Sequence, residues 1–293
     1  MENASDVDLD INHRIDDSTQ LSRIKALKKL SPTDSTVVYR EDFEYLNRIL
    51  NVSNNDVNSA FKVNSAYHEI LSNLPEYQTC LNQKSYQPWI NTLTHFLKQS
   101  KDSKTKRTSL PLKYHGLDSK NRLILSFQFT DLNLNINSIA TSVFLLSIAF
   151  IEHLHEAQPN LSKKGIIMIA DNKGIAFKHM RTLVSEFFIA KLFIRYLTEA
   201  ASFCTKKIII YREVPVTRSV FGLVKGYLGE EVQRVIEFCG TDLKKVVDEL
   251  GGEEFCPGFL LKGKDPRKVG TEVECPSDVV LIENLVKALP KFK

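Results

Sequence analysis

The chain has no Cys-x-x-Cys pair, no glycine-rich phosphate loop, no nucleophile elbow and no spacing of ligands suited to a metal. Its five cysteines, Cys80, Cys204, Cys239, Cys256 and Cys275, are odd in number and scattered. That pattern fits reduced thiols in a cytoplasmic protein and argues against a disulfide framework or structural zinc. Residues 1–17 are polar and acidic and lack an apolar core, so no secretory signal is expected. The most apolar run, Val143 to Ile151, is shorter than the roughly 20 residues a membrane helix needs. A net charge of +4 is too small to imply a nucleic-acid partner. These absences leave a soluble globular chain without cofactor, metal or obvious catalytic group. An apolar content of 43% and a charged content of 25% are ordinary for that class.

What is present is an alternation of strands and helices from Gly165 to Gly240. Gly165-Ile-Ile-Met-Ile-Ala-Asp171 reads as a strand buried on both faces. An amphipathic helix follows from Arg181 to Phe203, then a strand at Ile208 to Tyr211. A glycine-studded apolar helix spans Val216 to Gly229, and a last strand ends at Phe238-Cys239-Gly240. Such order predicts a mixed or parallel sheet covered by helices.

Asp171 closes a buried strand, where catalytic carboxylates sit in open α/β sheets. The sequence gives it no His or Lys partner, and a turn-forming Asp is the favoured reading. The helix after Arg181 carries more rings than one packed face needs, either as core or as the wall of a cavity. In the segment after Pro215, Val220, Val224 and Tyr227 share a helical face, while Gly222, Gly226 and Gly229 interrupt it. Each interior glycine costs about 1 kcal/mol against alanine, so the helix is weak and suits a lid. An ordinary core helix is the alternative.

Upstream, Leu21, Ile24, Leu27 and Leu30 fall at helical spacing beside Arg23, Lys25, Lys28 and Lys29. This predicts a short helix, partly docked and solvated or lying on a membrane surface. Helical stripes run from Tyr39 to Leu97, with Asp56 as a cap and Trp89 in the core. Lys98 to Lys106 reads as a linker, and Leu123 to Phe129 as a strand with one apolar face. A long helix capped by Asn137 or Ser138 should be buried all round as far as Glu156. His153 and His155, two apart, do not form a metal pair and are expected at the surface or the helix end. Asp242 caps a helix from Leu243 to Leu250, and a final helix runs from Val279 to Leu289.

Several of these residues look familiar together. Arg48-Ile49-Leu50 with Asn55-Asp56-Val57, Asp118-Ser-Lys-Asn-Arg122-Leu-Ile124, the Gly165–Gly174 strand and turn, Val224-Lys-Gly-Tyr-Leu228, and Gly240 with Leu243 recur in that order. In order and spacing they resemble the CRAL-TRIO lipid-binding family, over roughly Tyr39 to Phe259. The resemblance implies an α/β fold with a mixed/parallel β-sheet floor covered by helices, preceded by a small α-helical N-terminal subdomain. The expected divisions are a loose arm at 1–36, helices at 37–106, the lipid-binding domain at 107–262 and a tail helix at 263–293. It further implies no enzymatic activity, no cofactor, and a pocket for a hydrophobic small molecule or lipid. Ile166, Met168 and Ala170 would line the floor, with Phe187 on a wall and Val220, Phe221, Val224 and Tyr227 on the lid. A rim of Lys206, Lys207 and Arg234 would meet an anionic membrane transiently, the protein being a cytoplasmic monomer. Where phosphatidylinositol-binding members carry Glu and Lys, this chain has Phe203 or Cys204 and Val235, so an apolar guest fits better than an inositol headgroup. The alternative is a degenerate scaffold that recruits protein partners or membranes without transferring lipid.

Overall fold

The protein, here a computed structural model, is described over residues 18–31, 39–99, 111–129, 139–158, 161–175, 187–226, 228–261 and 276–292. Helix α1 occupies residues 18–30 and turns Ile24 and Leu27 into the core. Asp42 and Asp56 each end an extended stretch and accept a backbone N–H from the first turn that follows, of Tyr45 and Ser59 respectively. These caps start α2 (Phe43–Val52) and α3 (Val57–Ser72). Asn54 and Asn55 make the tight turn between them in the left-handed region, at φ 51° and 63°, which asparagine tolerates better than most residues. Helices α4 (Tyr77–Gln83) and α5 (Gln87–Gln99) follow. Trp89 is fully buried and satisfies its indole by donating to the Pro75 carbonyl at 2.7 Å.

The sheet comprises β1 (Leu112–Leu117), β2 (Leu123–Gln128), β3 (Ile166–Asp171), β4 (Thr205–Tyr211) and β5 (Ile236–Gly240), side by side in chain order. The first pair is antiparallel and the rest are parallel. The expected mixed α/β architecture is therefore present. Strand β1 carries no local strand signal, because Lys113, His115 and Gly116 break its apolar pattern. In the fold Leu112, Tyr114 and His115 are all buried. Asn121 takes the left-handed turn between β1 and β2 at φ 58°, the conformation a glycine would otherwise supply.

Parallel strands laid down in sequential order, joined by crossovers of one hand, place every crossover on the same side of the sheet. Helix α6 (Ile139–Ala157), with the short α7 (Leu161–Lys164), joins β2 to β3. Helix α8 (Phe187–Arg195), ending in a π-turn at Tyr196–Ala200, joins β3 to β4. Helices α9 (Pro215–Lys225) and α10 (Glu230–Val235) join β4 to β5. Residues 181–186 of the helix expected from Arg181, and Asn137 and Ser138, lie outside the described residues. So does most of the expected linker.

Both faces are covered, by different elements. Leu123, Leu125, Ile166, Met168 and Ile208 pack with α6, α8, the N-terminal helices and the terminal helix α12 (Asp278–Ala288) in one continuous core. Ile124, Ile167, Ile169 and Ile209 pack against α11 (Leu243–Leu250) and the segment through Leu261. This is why β2 is buried on both faces where one apolar face was expected. Gly251 ends α11 so close to the β1–β2 turn that a Cβ there would lie 1.8 Å from Ser119 Oγ. Helix α6 is long and apolar enough to cross a membrane by composition, yet most of it lies inside the protein, as a core helix does.

The helical part is also tied to α6 by charge. Glu152, buried on α6, accepts two bonds from Arg40 at 3.2 and 3.3 Å and one from Arg48 at 2.7 Å. His68 Nε2 accepts the Arg40 backbone N–H at 2.6 Å, and His155 shares a 2.8 Å bond with Ser202. His155 is thus a buried helix-end residue, its ring bonded to Ser202. Burial, reinforced by Arg40, lowers the His68 pKa to about 3. Burial, reinforced by Arg48, does the same for His155, again to about 3. Burial, with Lys113, lowers His115 to about 4. In the unfolded chain these rings protonate as the pH falls through about 6.5, while in the fold they stay neutral. The unfolded state then binds more protons, so stability is full above about pH 6.5 and declines below it. Calorimetry should show the melting temperature falling between about pH 6.5 and 4, and a His68→Gln/His155→Gln variant should show a flatter profile.

Candidate functional site

The strand registers align side chains into rungs across the face that meets the crossover helices. Leu125, Met168, Ile208 and Ile236 form one rung, and Phe127, Ala170, Ile210 and Phe238 form the next toward the carboxyl ends. Burial relaxes along that direction. Ile166 is 1% exposed, Met168 4% and Ala170 9%, whereas Ile167 and Ile169 on the opposite face are at 0%. Ile210 and Phe238 are only half-buried. The apolar floor therefore loosens at its carboxyl edge, and Ala170 makes a dip between larger neighbours. Ligands in open α/β sheets lie at this edge.

Helix α9 stands over that edge. Phe221 packs edge-on to Phe238 with ring centroids 4.8 Å apart. Leu228 and Val232 pack with Ile194, Phe221 and Ile236 in a small cluster, and Ile236 also packs against the main core. A Cβ at Gly222 or Gly226 would meet nothing within 4 Å, so close helix packing does not require these glycines. Intrinsically weak helix residues such as Gly222 and Gly226 are one mark of a segment that opens at low free-energy cost.

The start of α9 is held by polar contacts. Arg212, at φ 53°, donates to both oxygens of buried Asp171, with 2.7 Å from Nε to Oδ1, and its backbone N–H donates to the Gly240 carbonyl at 2.6 Å. Asp171 also accepts the Lys173 N–H at 3.0 Å, as a turn-forming Asp does. Asn172 Nδ2 donates to Thr217 Oγ1 at 3.1 Å. Glu213, nearly buried, accepts the Gly240 N–H at 2.6 Å and an Arg218 bond at 2.8 Å. Pro215, whose fixed φ suits a first helical position, starts α9 beside them. The helix is thus pinned at its amino end. Asp171→Asn keeps the shape and removes the charge that holds Arg212. Amide exchange across residues 215–225 should speed up by about tenfold, from a charged hydrogen bond worth about 1.5 kcal/mol at a partly solvated site. Unchanged exchange would show that the pair does not restrain the helix.

Ile166, Met168 and Ala170 therefore share the face as expected, and Phe221 lies above its open edge. The side chains of Phe187, Val220 and Val224, and Tyr227 as a whole, lie outside the described residues. Lys206, Lys207 and Arg234 have different surroundings. Lys206 and Lys207 sit at the amino end of β4, several residues from the edge that α9 covers. A register shift at Ile166/Ile167 leaves Lys206 out of the ladder. Lys207 donates to Glu237 at 2.6 Å and Glu249 at 2.7 Å, on the face covered by α11. Arg234 pairs with Glu230 on the surface. Adjacent basic letters did not reveal that strand alternation and nearby carboxylates separate them. Sequence reading also missed Phe127, Ile210 and Phe238, whose shared rung depends on strand registers that one sequence does not contain. Among the described residues no group of three His, Cys, Asp or Glu could hold a metal ion.

Residues 107–254, half of the chain, match the family model described as the CRAL/TRIO domain. The chain belongs to the CRAL/TRIO domain family. The matched span begins before β1 and takes in the whole sheet, every crossover and α11, so the family assignment covers both the floor and α9. Members of this family are in general lipid carriers rather than enzymes. The crystal structure of Sfh5 superposes with a TM-score of 0.46 at 11% identity, over 92% of this chain and 97% of that one, a likeness too distant to inform the site. No curated protein matches the chain in sequence.

Proposed function

We propose that this CRAL/TRIO protein holds a hydrophobic small molecule or lipid against the rung of Phe127, Ala170, Ile210 and Phe238, with α9 as its gate. The observation that carries this reading is the loosening of an otherwise sealed apolar floor beneath α9, whose Phe221 packs on Phe238 of the same rung. Each methylene taken from water contributes about 0.8 kcal/mol, so a long acyl chain binds such a floor without any headgroup contact. A buried apolar surface with no charge of its own suits an apolar guest and asks for no catalysis. Lys206, Lys207 and Arg234 as a membrane-facing rim fit this reading less well, since the last two are paired with carboxylates.

The carboxylate pairing of Lys207 and Arg234 favours a second reading, a scaffold that recruits protein partners without moving lipid. Labelled lipids separate the two. A monomeric cytoplasmic carrier should take up labelled lipid from donor vesicles and deliver it to acceptors. A protein that neither binds nor delivers any lipid, yet captures a partner, is a scaffold.

A further inference from the structure

Besides Lys206, Lys207 and Arg234, helix α1 carries a second set of basic side chains at the surface. Its inner side is settled: Ile24 and Leu27 are 2% and 1% exposed in the core, and Gln20 Nε2 donates to Asn47 Oδ1 of α2 at 2.8 Å. A helical turn of 100° per residue then places Leu21, Lys25, Lys28 and Lys29 on one outward stripe. All four are exposed, Leu21 at 44%. None of the three lysines has an ion-pair or hydrogen-bond partner among the described residues. Helices that stabilise themselves with surface charge place acids one turn from bases, and α1 carries no acid at all over residues 18–30.

We propose that α1 docks this protein onto an anionic bilayer, with Lys25, Lys28 and Lys29 at the phosphate level and Leu21 dipping toward the acyl boundary. A fixed, pre-folded helix loses little conformational freedom on docking, and its lysine stems are long enough to reach the headgroups while their charge stays wet. The inference deepens the proposed function by naming where the membrane is met, and it rests on that reading for the membrane partner only. Each basic residue near an anionic surface changes partitioning by about fivefold.

The test uses the full chain with vesicles of phosphatidylcholine alone or containing phosphatidylserine, and follows co-sedimentation. The native chain should bind the anionic vesicles, release them as salt is raised, and ignore the neutral ones. Lys25→Gln/Lys28→Gln/Lys29→Gln should weaken binding roughly a hundredfold and leave the circular dichroism spectrum and the lipid retained by the purified protein unchanged. A Leu21→Trp variant should show a blue-shifted emission on anionic vesicles beyond the signal of buried Trp89. Equal binding by the folded triple-glutamine variant, equal binding to neutral vesicles, or no shift at Trp in place of Leu21 would each overturn the inference. Loss of vesicle binding only in a Lys206→Gln/Lys225→Gln variant would overturn it too. Because retained lipid is measured on the same samples, failure of docking with lipid still bound sinks this inference alone. Absence of lipid from every sample sinks the carrier reading instead.

Discussion

Replacing Glu152 by alanine is expected to lower the melting temperature by about 10 °C. The carboxylate is buried between Arg40, whose side chain is 6% exposed, and Arg48, at 11%. Removing it leaves two guanidinium groups in the interior with one carboxylate, Asp42, bonded to Arg40 at 2.6 Å. Breaking a buried pair from one side costs about 3–5 kcal/mol, and 1 kcal/mol moves the midpoint of a chain this size by about 2–4 °C. Arg40 also lies 4.4 Å from the Tyr45 ring centroid, so its displacement disturbs the packing of α2. Replacing all three charges at once, as Arg40→Met/Arg48→Met/Glu152→Leu, should cost far less than the single change. A hydrophobic core of similar volume pays no desolvation. The pH dependence has a definite sign. Burial alone would push the Glu152 carboxyl up, but Arg40 and Arg48 outweigh it and lower the pKa to about 2. Its contribution is therefore complete above the ordinary Glu pKa of about 4.3 and is lost as the pH falls toward about 2. The Glu152→Ala variant should lose that part of the acid transition and keep the histidine part at higher pH. Equal melting temperatures for Glu152→Ala and the native chain would mean that the triad does not join the helical part to α6.

Ala170→Trp is expected to abolish lipid retention, by more than tenfold, while the melting temperature moves by only about 2–4 °C. The two readouts bear on one physical question. Ala170 is the smallest residue on its rung, flanked in register by Phe127 and Ile210. If the space above it holds a guest, an indole takes the guest's place and the protein remains folded. If neighbouring side chains fill that space, the indole overpacks a closed core, which costs about 1–3 kcal/mol or more. A strongly destabilised Ala170→Trp protein would therefore contradict a ligand site at this rung. Met168, one rung deeper and 4% exposed within the continuous core, serves as the internal comparison. Met168→Trp should destabilise more than Ala170→Trp.

Much of this architecture was legible in local patterns. The apolar runs at Ile166–Asp171 and Ile208–Tyr211, the caps Asp56 and Asp242, and the all-round apolar α6 each carry a short-range signal that survives folding unchanged. Ile166, Met168 and Ala170 could be placed on one face by strand alternation alone. What local pattern does not contain is pairing between distant segments. Arg212 is forty-one positions from Asp171 and Arg40 is one hundred and twelve from Glu152, and neither partner could be assigned before the fold brought them together. Lys206 and Lys207 show the converse. Proximity in sequence suggested a joint role, and the register shift on β4 gave the two side chains different surroundings. His155 lies at the end of α6 as expected, and its burial depends on a bond to Ser202, forty-seven positions away, that local pattern does not contain.

The proposed guest site is the loosened edge of the sheet beneath α9. Mass spectrometry of an organic extract of the purified full-length protein tests it most directly, with the Ala170→Trp protein extracted in parallel. The expected result is a hydrophobic molecule recovered in near-equal amount to the native protein and absent from the variant. Recovery of nothing from the native protein, together with no uptake of added labelled lipids, would contradict it.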